Sequence, residues 1–285
     1  MSPRHLAGLF REACRNWMAD EAASMGAALA FYTLFSMAPL LLLVISIAGL
    51  AIGNDTARVL VSDQLTTLLG AQGAGAVEAV LAAADDPGKG LVAALVSLAT
   101  LVIGATTVFA ELRRDLDRIW KVRKPEVRGL WRILWGRLWS FGLVLTIGFL
   151  LMVSLALSAL VTAFGSLLAQ YLPGAPILLR SLEFAVSFLV VTGLFAMIYK
   201  ILPTARVAWR DVWVGAAATS LLFWVGKYLI GLYLAQSAVA SPFGAAGTLV
   251  VVIVWVYYSA QIFFLGAEFT RAYAAARQSV PQGRT

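Results

Sequence analysis

The chain has little charge, and this shortage sets its class. Only 13% of its 285 residues are Asp, Glu, Lys or Arg, whereas 61% are hydrophobic. A typical soluble domain carries about 25% charged residues. A chain this apolar cannot bury its hydrophobic surface in water, because the buried fraction rises only slowly with size. The sequence therefore indicates a protein whose solvent is largely lipid.

Cysteine and histidine are almost absent. The single cysteine, Cys14, excludes an intramolecular disulfide and a cysteine-rich metal site. The single histidine, His5, lies in the N-terminal tail, so no histidine pair is available for nuclease chemistry. The sequence also lacks a Walker loop and the GxGxxG, HExxH and GxSxG motifs.

Three acids near the middle of the chain are the only candidates for a metal-dependent site. Glu111, Asp115 and Asp117 could be arranged around Mg²⁺. Arg114 and Arg118 alternate with them at helical spacing, which favours ion pairs along one face of a helix. We therefore expect that the protein is not an enzyme and has no metal site and no cofactor.

Six apolar runs are long enough to cross a bilayer, which takes about 20 apolar residues per helix. They are Ala27–Ile52, Leu91–Ala110, Leu138–Phe164, Ile177–Tyr199, Val212–Ala235 and Ala245–Ala267. No cleavable signal peptide pattern precedes the first run, so we expect the N-terminus to be retained. The sequence predicts an all-α polytopic membrane protein with six transmembrane helices in a single integral membrane domain, residues 1–285.

The distribution of positive charge predicts the orientation. The two tails and the second and fourth loops together hold 18 Lys and Arg residues, whereas the other three loops hold 3. The positive-inside rule then predicts that both termini are cytoplasmic. This assigns residues 1–26 to a cytoplasmic amphipathic N-terminal helix, residues 53–90 to a periplasmic loop and residues 111–137 to a basic, tryptophan-rich cytoplasmic loop.

Two of these segments have further patterns. An apolar stripe at helical spacing predicts that the N-terminal helix lies flat on the inner membrane surface. Its members are Leu6, Leu9, Phe10, Ala13 and Trp17. The periplasmic loop contains two short amphipathic segments separated by Gly73 and Gly75, which predicts a small external cap.

The loop 111–137 has nine Lys and Arg residues, four acids and three tryptophans. Read alone, such a run could bind nucleic acid. Between two spans, it fits anionic phospholipid headgroups better, because tryptophan and basic side chains favour the membrane interface. We expect contacts with the lipid bilayer and no nucleic-acid partner. The predicted lipid-phosphate contacts are Arg113, Arg114, Arg118, Lys121, Arg123, Lys124 and Arg128.

Four stretches occur in order along the chain: "AALAFYTLFSMAPLLLLV", "ELRRDLDRIWKV", "YKILPTARVAWRDVWVGAAATSLLFWVGKYLIGLYL" and "GAAGTLVVVIVWVYYSAQIFFLGAEFTRAY". Together they resemble the BrkB/YihY family of bacterial inner-membrane proteins, over roughly residues 10 to 275. Asp115 and Asp117 make the second stretch more acidic than the pattern of that family.

The resemblance implies six spans and a multi-pass location in the bacterial inner (plasma) membrane, and it carries over no catalytic residue. The family was formerly labelled a tRNA-processing ribonuclease, a label regarded as mistaken, and its other name refers to a virulence factor for serum resistance. A role in moving lipids or another envelope component is suggested for it.

Polar groups inside the spans are the candidates for a substrate path or for structural polar contacts, because an ionisable group there is costly unless it faces protein or water. They are Lys227, Glu183, Arg180, Pro39, Tyr32, Ser36 and Gln261. Pro39 predicts a kink in the first span. Lys227 and Glu183 have nearly equal predicted depth and are expected to pair, with Arg180 as the competing partner.

The sequence thus favours a membrane protein that binds or transports an amphipathic, lipid-like or envelope-related substrate. Three spans that start inside, followed by three that start outside, permit an inverted repeat. The alternative is a non-transporting scaffold or assembly partner, and a tRNA-processing ribonuclease is disfavoured. The substrate, the coupling ion and the oligomeric state stay unknown at this point.

Overall fold

A computed structural model of the chain describes residues 3–84, 107–122, 175–205, 207–236 and 247–279. Every regular element within these ranges is a helix, which confirms the all-α prediction for the described residues. The helices are α1 (Pro3–Ala19), α2 (Ala22–Ile52), α3 (Asn54–Ala84), α4 (107–119), α5 (Ala175–Ile201), α6 (Trp209–Gln236) and α7 (Gly247–Ser279).

Three of the helices are apolar and long enough to cross a membrane. Their candidate spans are Phe184–Ile201, Trp209–Tyr233 and Val250–Gln278, in α5, α6 and α7. They match the fourth, fifth and sixth runs of the sequence. The first run lies within α2. Most of the second run, all of the third, and the loop beyond residue 122 lie outside the described residues.

Charged side chains complement the dipoles of these helices. Lys200 lies in the last turn of α5, Asp211 in the first turn of α6 and Arg277 in the last turn of α7. Each has the sign that the helix terminus favours. Asp211 is buried, and its Oδ1 lies 3.1 Å from Arg277 Nη1, so this ion pair also joins the start of α6 to the end of α7.

The turn between α2 and α3 has a single residue, Gly53. Its φ of 86° lies in the left-handed region that favours glycine, and its N–H donates to the carbonyl of Gly49 over 2.9 Å. Beyond this turn α3 folds back along α2, since Ile45 and Ala57 form the buried centre of one apolar cluster. The 31 residues of α2 span about 46 Å, which exceeds the hydrocarbon core.

Helix α3 is continuous in its hydrogen bonding but not straight. The Ser62 hydroxyl donates to the Glu78 carboxylate, and these residues are 16 positions apart. A straight helix would separate them by about 24 Å. The chain between them must therefore bend, and it contains Gly73 and Gly75. The two predicted amphipathic segments are thus joined as one bent helix, which packs against α2, α6 and α7.

Helix α7 lies at the centre of the bundle and packs against α1, α2, α3 and α6. It runs antiparallel to α2, because Gly26 faces Gln261 whereas the earlier Asp20 interacts with the later Glu268. One end of the bundle gathers most of the described polar loops. This charged end consists of the α1–α2 turn, the end of α4 at Lys121, residues 202–205 after α5 and the last turns of α7.

Helix α1 lies within the segment predicted as the N-terminal helix and ends at Ala19 rather than near residue 26. Its predicted apolar stripe divides into two parts. Leu9 and Ala13 are buried in a cluster with α7, whereas Leu6 and Phe10 are exposed. Helix α1 is therefore docked on α7 along one edge of its stripe, and the other edge is accessible.

Candidate functional site

Helix α4 is held to the charged end by paired polar contacts. The Asp117 carboxylate accepts hydrogen bonds from the Thr204 N–H, over 2.6 Å, and from the Thr204 hydroxyl, over 2.8 Å. Arg113 Nη2 donates to the same hydroxyl over 3.4 Å. One side of α4 thus fixes the loop that follows α5.

The end of α4 also pairs with the turn between α1 and α2. Arg118 Nη2 lies 3.2 Å from Glu21 Oε2, and the Lys121 ammonium contacts Asp20 Oδ1. Glu21 and Lys121 both have positive φ, 58° and 51°. This conformation is uncommon for residues other than glycine. The two helix ends therefore meet through residues in an unfavourable backbone conformation, which these crossed ion pairs help to hold.

Asp115 and Asp20 at this end have shifted pKa values. Burial, together with the nearby Glu111 carboxylate, raises the pKa of Asp115 to about 7, although Arg114 and Arg118 oppose the shift. Burial also raises the pKa of Asp20, but its interactions with Lys121 and Glu268 outweigh this effect, so the net pKa of Asp20 lies below its ordinary value.

The structure describes four of the seven cations predicted to contact lipid phosphates. Arg113, Arg118 and Lys121 contact Thr204, Glu21 and Asp20, and Arg114 forms an ion pair with Glu111 over 2.6 Å. The Arg114–Glu111 pair has the i,i+3 spacing expected from the sequence. The lipid contacts stay predictions, and Arg123, Lys124 and Arg128 lie outside the described residues.

The acids that could have surrounded Mg²⁺ have different environments. Glu111 pairs with Arg114, and Asp117 binds Thr204. Asp115 is buried, and its Oδ2 has no hydrogen-bond partner among the described residues. No group of three His, Cys, Asp or Glu side chains in the described part of the chain could hold a metal ion.

Lys227 lies on α6 at the edge of its contact with α7. The preceding residue, Gly226, is so close to α7 that an added Cβ would lie 2.3 Å from Ile262 Cδ1 and 3.1 Å from the Tyr258 hydroxyl. The next residue, Tyr228, is 72% exposed. Lys227 itself is half-buried, at the border between the α6–α7 contact and the outer face of α6.

The predicted pair of Lys227 with Glu183 stays a prediction. The side chains of Glu183 and Arg180 lie outside the described part of the structure. The rings of Phe184 and Trp224 do meet, with centroids 5.4 Å apart. The start of α5 therefore contacts α6 within one turn of Lys227.

The remaining polar candidates belong to α2 and α7. The Gln261 amide has buried atoms without a hydrogen-bond partner among the described residues, and its Nε2 would lie 2.0 Å from a Cβ added to Gly26. Ser36 is buried and donates to the carbonyl of Thr33 over 3.2 Å.

Tyr32 packs edge to face with Phe31, at a centroid distance of 5.7 Å. Pro39 lies inside the continuous helix α2, and its side chain lies outside the described part. The kink predicted at Pro39 stays a prediction.

The buried carboxyl pair of Asp20 and Glu268 is the main feature that the sequence did not predict. Glu268 directly follows the sixth apolar run, and Asp20 lies within the segment 1–26 that the sequence assigns to the N-terminal helix. Asp20 directly follows α1, so a prediction that the N-terminal helix ends at Ala19 would have placed Asp20 in a turn. The structure turns the chain at Asp20 and Glu21 and places both acids at the charged end.

Comparison with known proteins identifies the family. The model described as Virulence factor BrkB matches residues 13–284. A UPF0761 membrane protein of Pseudomonas aeruginosa (strain LESB58) is 27% identical over 258 residues, which are 88% of this chain and 59% of that protein. One of Verminephrobacter eiseniae (strain EF01-2) is 31% identical over 179 residues, 62% of this chain and 40% of that protein.

A third relative, the UPF0761 membrane protein of Pseudoalteromonas translucida (strain TAC 125), is 25% identical over 244 residues, 85% of this chain and 78% of that protein. The chain therefore spans less than two thirds of the length of the Pseudomonas aeruginosa relative, of which 59% is aligned. No solved structure matches the chain. Because the family model covers nearly the whole sequence, the chain is a membrane protein that belongs to the Virulence factor BrkB family.

Proposed function

We propose that the protein crosses the bacterial inner membrane six times and has both termini in the cytoplasm. Two observations support this topology. Helix α7 runs antiparallel to both α2 and α6, as a sixth span must run relative to a first and a fifth span. The charged end gathers the α1–α2 turn, α4, the loop after α5 and the end of α7. The positive-inside rule assigns such an end to the cytoplasm.

Reporter fusions test the topology. A reporter after Thr285, or inside the segment Arg123–Arg128, should read as cytoplasmic, because 18 loop and tail cations are predicted on that side. A reporter near Asp85 should read as periplasmic. A periplasmic C-terminus would contradict the six-span topology.

Within this topology, the function that the geometry supports best is binding or transport of an amphipathic, lipid-like or envelope-related substrate. The environment of Lys227 carries the proposal. Lys227 lies within the apolar candidate span Trp209–Tyr233, about 9 Å from its Tyr233 end by the helical rise. The exposed rings of Trp224 and Tyr228 lie on the same helix within one turn.

This combination suits a molecule with one anionic group and an apolar body. A lysine that far inside a span is costly and usually faces protein or a polar cavity. The ammonium can attract a phosphate or carboxylate, and the aromatic face of α6 can contact acyl chains. The Tyr258 hydroxyl lies close to the adjacent residue, Gly226, and adds a polar group on the α7 side. A substrate at this position would move between the α6–α7 contact and the lipid.

Liposome reconstitution tests the transport proposal. The protein should accelerate exchange of a fluorescent phospholipid between leaflets, and Lys227→Ala should slow it by roughly tenfold, the equivalent of about 1.4 kcal/mol. Lys227→Arg keeps the charge and is the matched control. If Glu183 pairs with Lys227, the double change to alanine should be milder than the sum of the single changes. Equal rates for wild type and Lys227→Ala would contradict the assignment of Lys227.

A scaffold function is the competing proposal, and exchange no faster than in protein-free liposomes would favour it. In a scaffold, the tryptophan-rich loop 111–137 would be the docking surface. Its described part uses Arg113, Arg118 and Lys121 in contacts within the chain, which leaves fewer charges for a partner. We also propose that the protein has no nuclease activity, because Glu111 and Asp117 have separate partners. Metal-dependent RNA cleavage that is lost in Asp117→Ala would contradict this.

A further inference from the structure

Two buried acids from different helices meet at the charged end. Glu268 of α7 has no exposed surface, and Asp20 of the α1–α2 turn is 5% exposed. Their carboxyl groups are close enough to form a side-chain hydrogen bond with each other. Lys121 contacts Asp20 Oδ1, and Arg271 Nη2 lies 3.2 Å from Glu268 Oε2.

The two buried carboxyl groups have fewer hydrogen-bond donors around them than they have oxygens to satisfy. Asp20 Oδ2 and both oxygens of Glu268 are buried without a hydrogen-bond partner among the described residues. Arg271 is near enough for an ion pair, but its N–H groups are not aligned for a hydrogen bond. Ionised carboxylates can only accept hydrogen bonds, so two of them in contact repel each other. A single added proton converts one acid into a donor and satisfies an oxygen of the other.

We propose that Asp20 and Glu268 together bind one proton at neutral pH, and that this shared proton joins the α1–α2 turn to α7. The proton resides on Glu268, and Asp20 accepts the hydrogen bond as a carboxylate. Lys121 favours this assignment because its ammonium stabilises the negative charge of Asp20.

The other charged groups nearby are compatible with one bound proton. Arg271, on the same helix as Glu268, has 18% of its side chain exposed, so its charge reaches solvent. From α6, the acid presented to α7 is Asp211, and it pairs with Arg277 instead. From the α1–α2 turn, Glu21 points to Arg118 of α4 and is 68% exposed.

The pair makes the charged end sensitive to pH. At neutral pH a carboxyl group of the unfolded chain has its ordinary pKa and has already released its proton. The folded protein keeps that proton. The stability that comes from the proton on Glu268 is therefore fully present below the ordinary pKa of a glutamate and is lost as the pH rises and the proton leaves. Asp20 has the opposite dependence, because its pKa is lowered and its charge contributes stability that is lost only in acid. At alkaline pH two buried carboxylates would face each other, and the α1–α2 turn would separate from α7.

Infrared spectroscopy of the purified full chain can detect the proton. The measurement uses Asp115→Asn protein, because Asp115 also titrates near neutral pH. At pH 7 its spectrum should contain the carbonyl band of a protonated carboxylic acid, shifted in D₂O, and this band should disappear when Glu268→Gln is added. The glutamine amide still donates to Asp20, so this variant should fold and its melting temperature should depend less on pH.

Identical carbonyl spectra with and without Glu268→Gln would overturn the proposal, because the pair would then hold no proton. If Glu268→Gln fails to fold, Asp20→Asn replaces it in the same background. The asparagine amide donates to Glu268, which can then ionise beside Arg271, so the band should again be lost. A band that persists in Asp20→Asn would equally overturn the proposal.

Discussion

Replacing Gly266 with alanine adds a single methyl group, and we expect this substitution to destabilise the protein strongly. A Cβ at this position would lie 2.0 Å from Thr219 Oγ1, 2.7 Å from the Tyr199 hydroxyl and 2.8 Å from Thr219 Cβ. Thr219 cannot withdraw its Cβ without moving α6. We expect Gly266→Ala to lower the free energy of unfolding by about 3 kcal/mol or more, which is at or above the upper end of the usual cost of overpacking.

The reason is a reciprocal contact between α6 and α7. Gly215 of α6 receives Thr270 of α7, and Gly266 of α7 receives Thr219 of α6. Each threonine hydroxyl donates to the glycine carbonyl one turn earlier on its own helix, Thr219 to Gly215 over 2.8 Å and Thr270 to Gly266 over 2.7 Å. These two small-xxx-small motifs allow close backbone approach, as in membrane helix pairs.

The buried hydroxyl of Tyr199 makes this contact a three-helix junction. It lies 3.1 Å from Thr219 Oγ1 and donates to the carbonyl of Phe263 over 2.7 Å. A side chain at Gly266 would press on both Thr219 and the Tyr199 hydroxyl itself. The change would therefore propagate from the α6–α7 contact to α5.

Glycine 231 provides the matched control. It lies on α6, and a Cβ added there would meet no atom within 4 Å. Gly231→Ala should leave the thermal unfolding midpoint in detergent unchanged or raise it slightly, because alanine is the better helix former by about 1 kcal/mol. Equal midpoints for Gly266→Ala and Gly231→Ala would show that the close contact does not limit stability.

The helices could be predicted from sequence because lipid demands long apolar runs with satisfied backbones. The fourth, fifth and sixth runs correspond to α5, α6 and α7 for this reason. Gly215 and Gly266 lie within the fifth and sixth runs, and small residues there permit close helix contacts. Their partners, Thr219 and Thr270, could not be identified, because the pairing depends on the relative rotation of two helices that the sequence does not specify.

The candidate site was less predictable, because charge counts give the side of a membrane but not the partners of each charge. The basic loop predicts that Arg118 and Lys121 contact lipid phosphates, which stays a prediction, but it does not predict their ion pairs with Glu21 and Asp20. Those acids are about a hundred positions away in the sequence. Helical spacing did reveal the local pair of Glu111 and Arg114, since both belong to one helix.

The same limitation applies to α4 itself, whose apolar side was not recognised. Leu116 and Ile119 have no exposed surface and belong to the core cluster that also contains Met25 and Tyr199. What resembled the start of a surface loop is therefore a helix that closes the core at the charged end. Its basic residues occupy the opposite, exposed side, where Arg114 is 65% exposed.

Replacing Leu116 with alanine should accordingly cost about 2–5 kcal/mol, the range for buried leucines whose cavity cannot collapse. Arg114→Ala, on the same helix, removes only an exposed pair with Glu111 and should cost at most about 0.5 kcal/mol. Unfolding midpoints in detergent compare the two variants, and the helix content of each checks that α4 itself persists. If α4 instead lay free on the membrane surface, Leu116→Ala would lose only interfacial contact and its midpoint would match that of Arg114→Ala. A clear difference between them would mean that α4 is part of the folded core, so that its charges are positioned by packing before any lipid or partner binds.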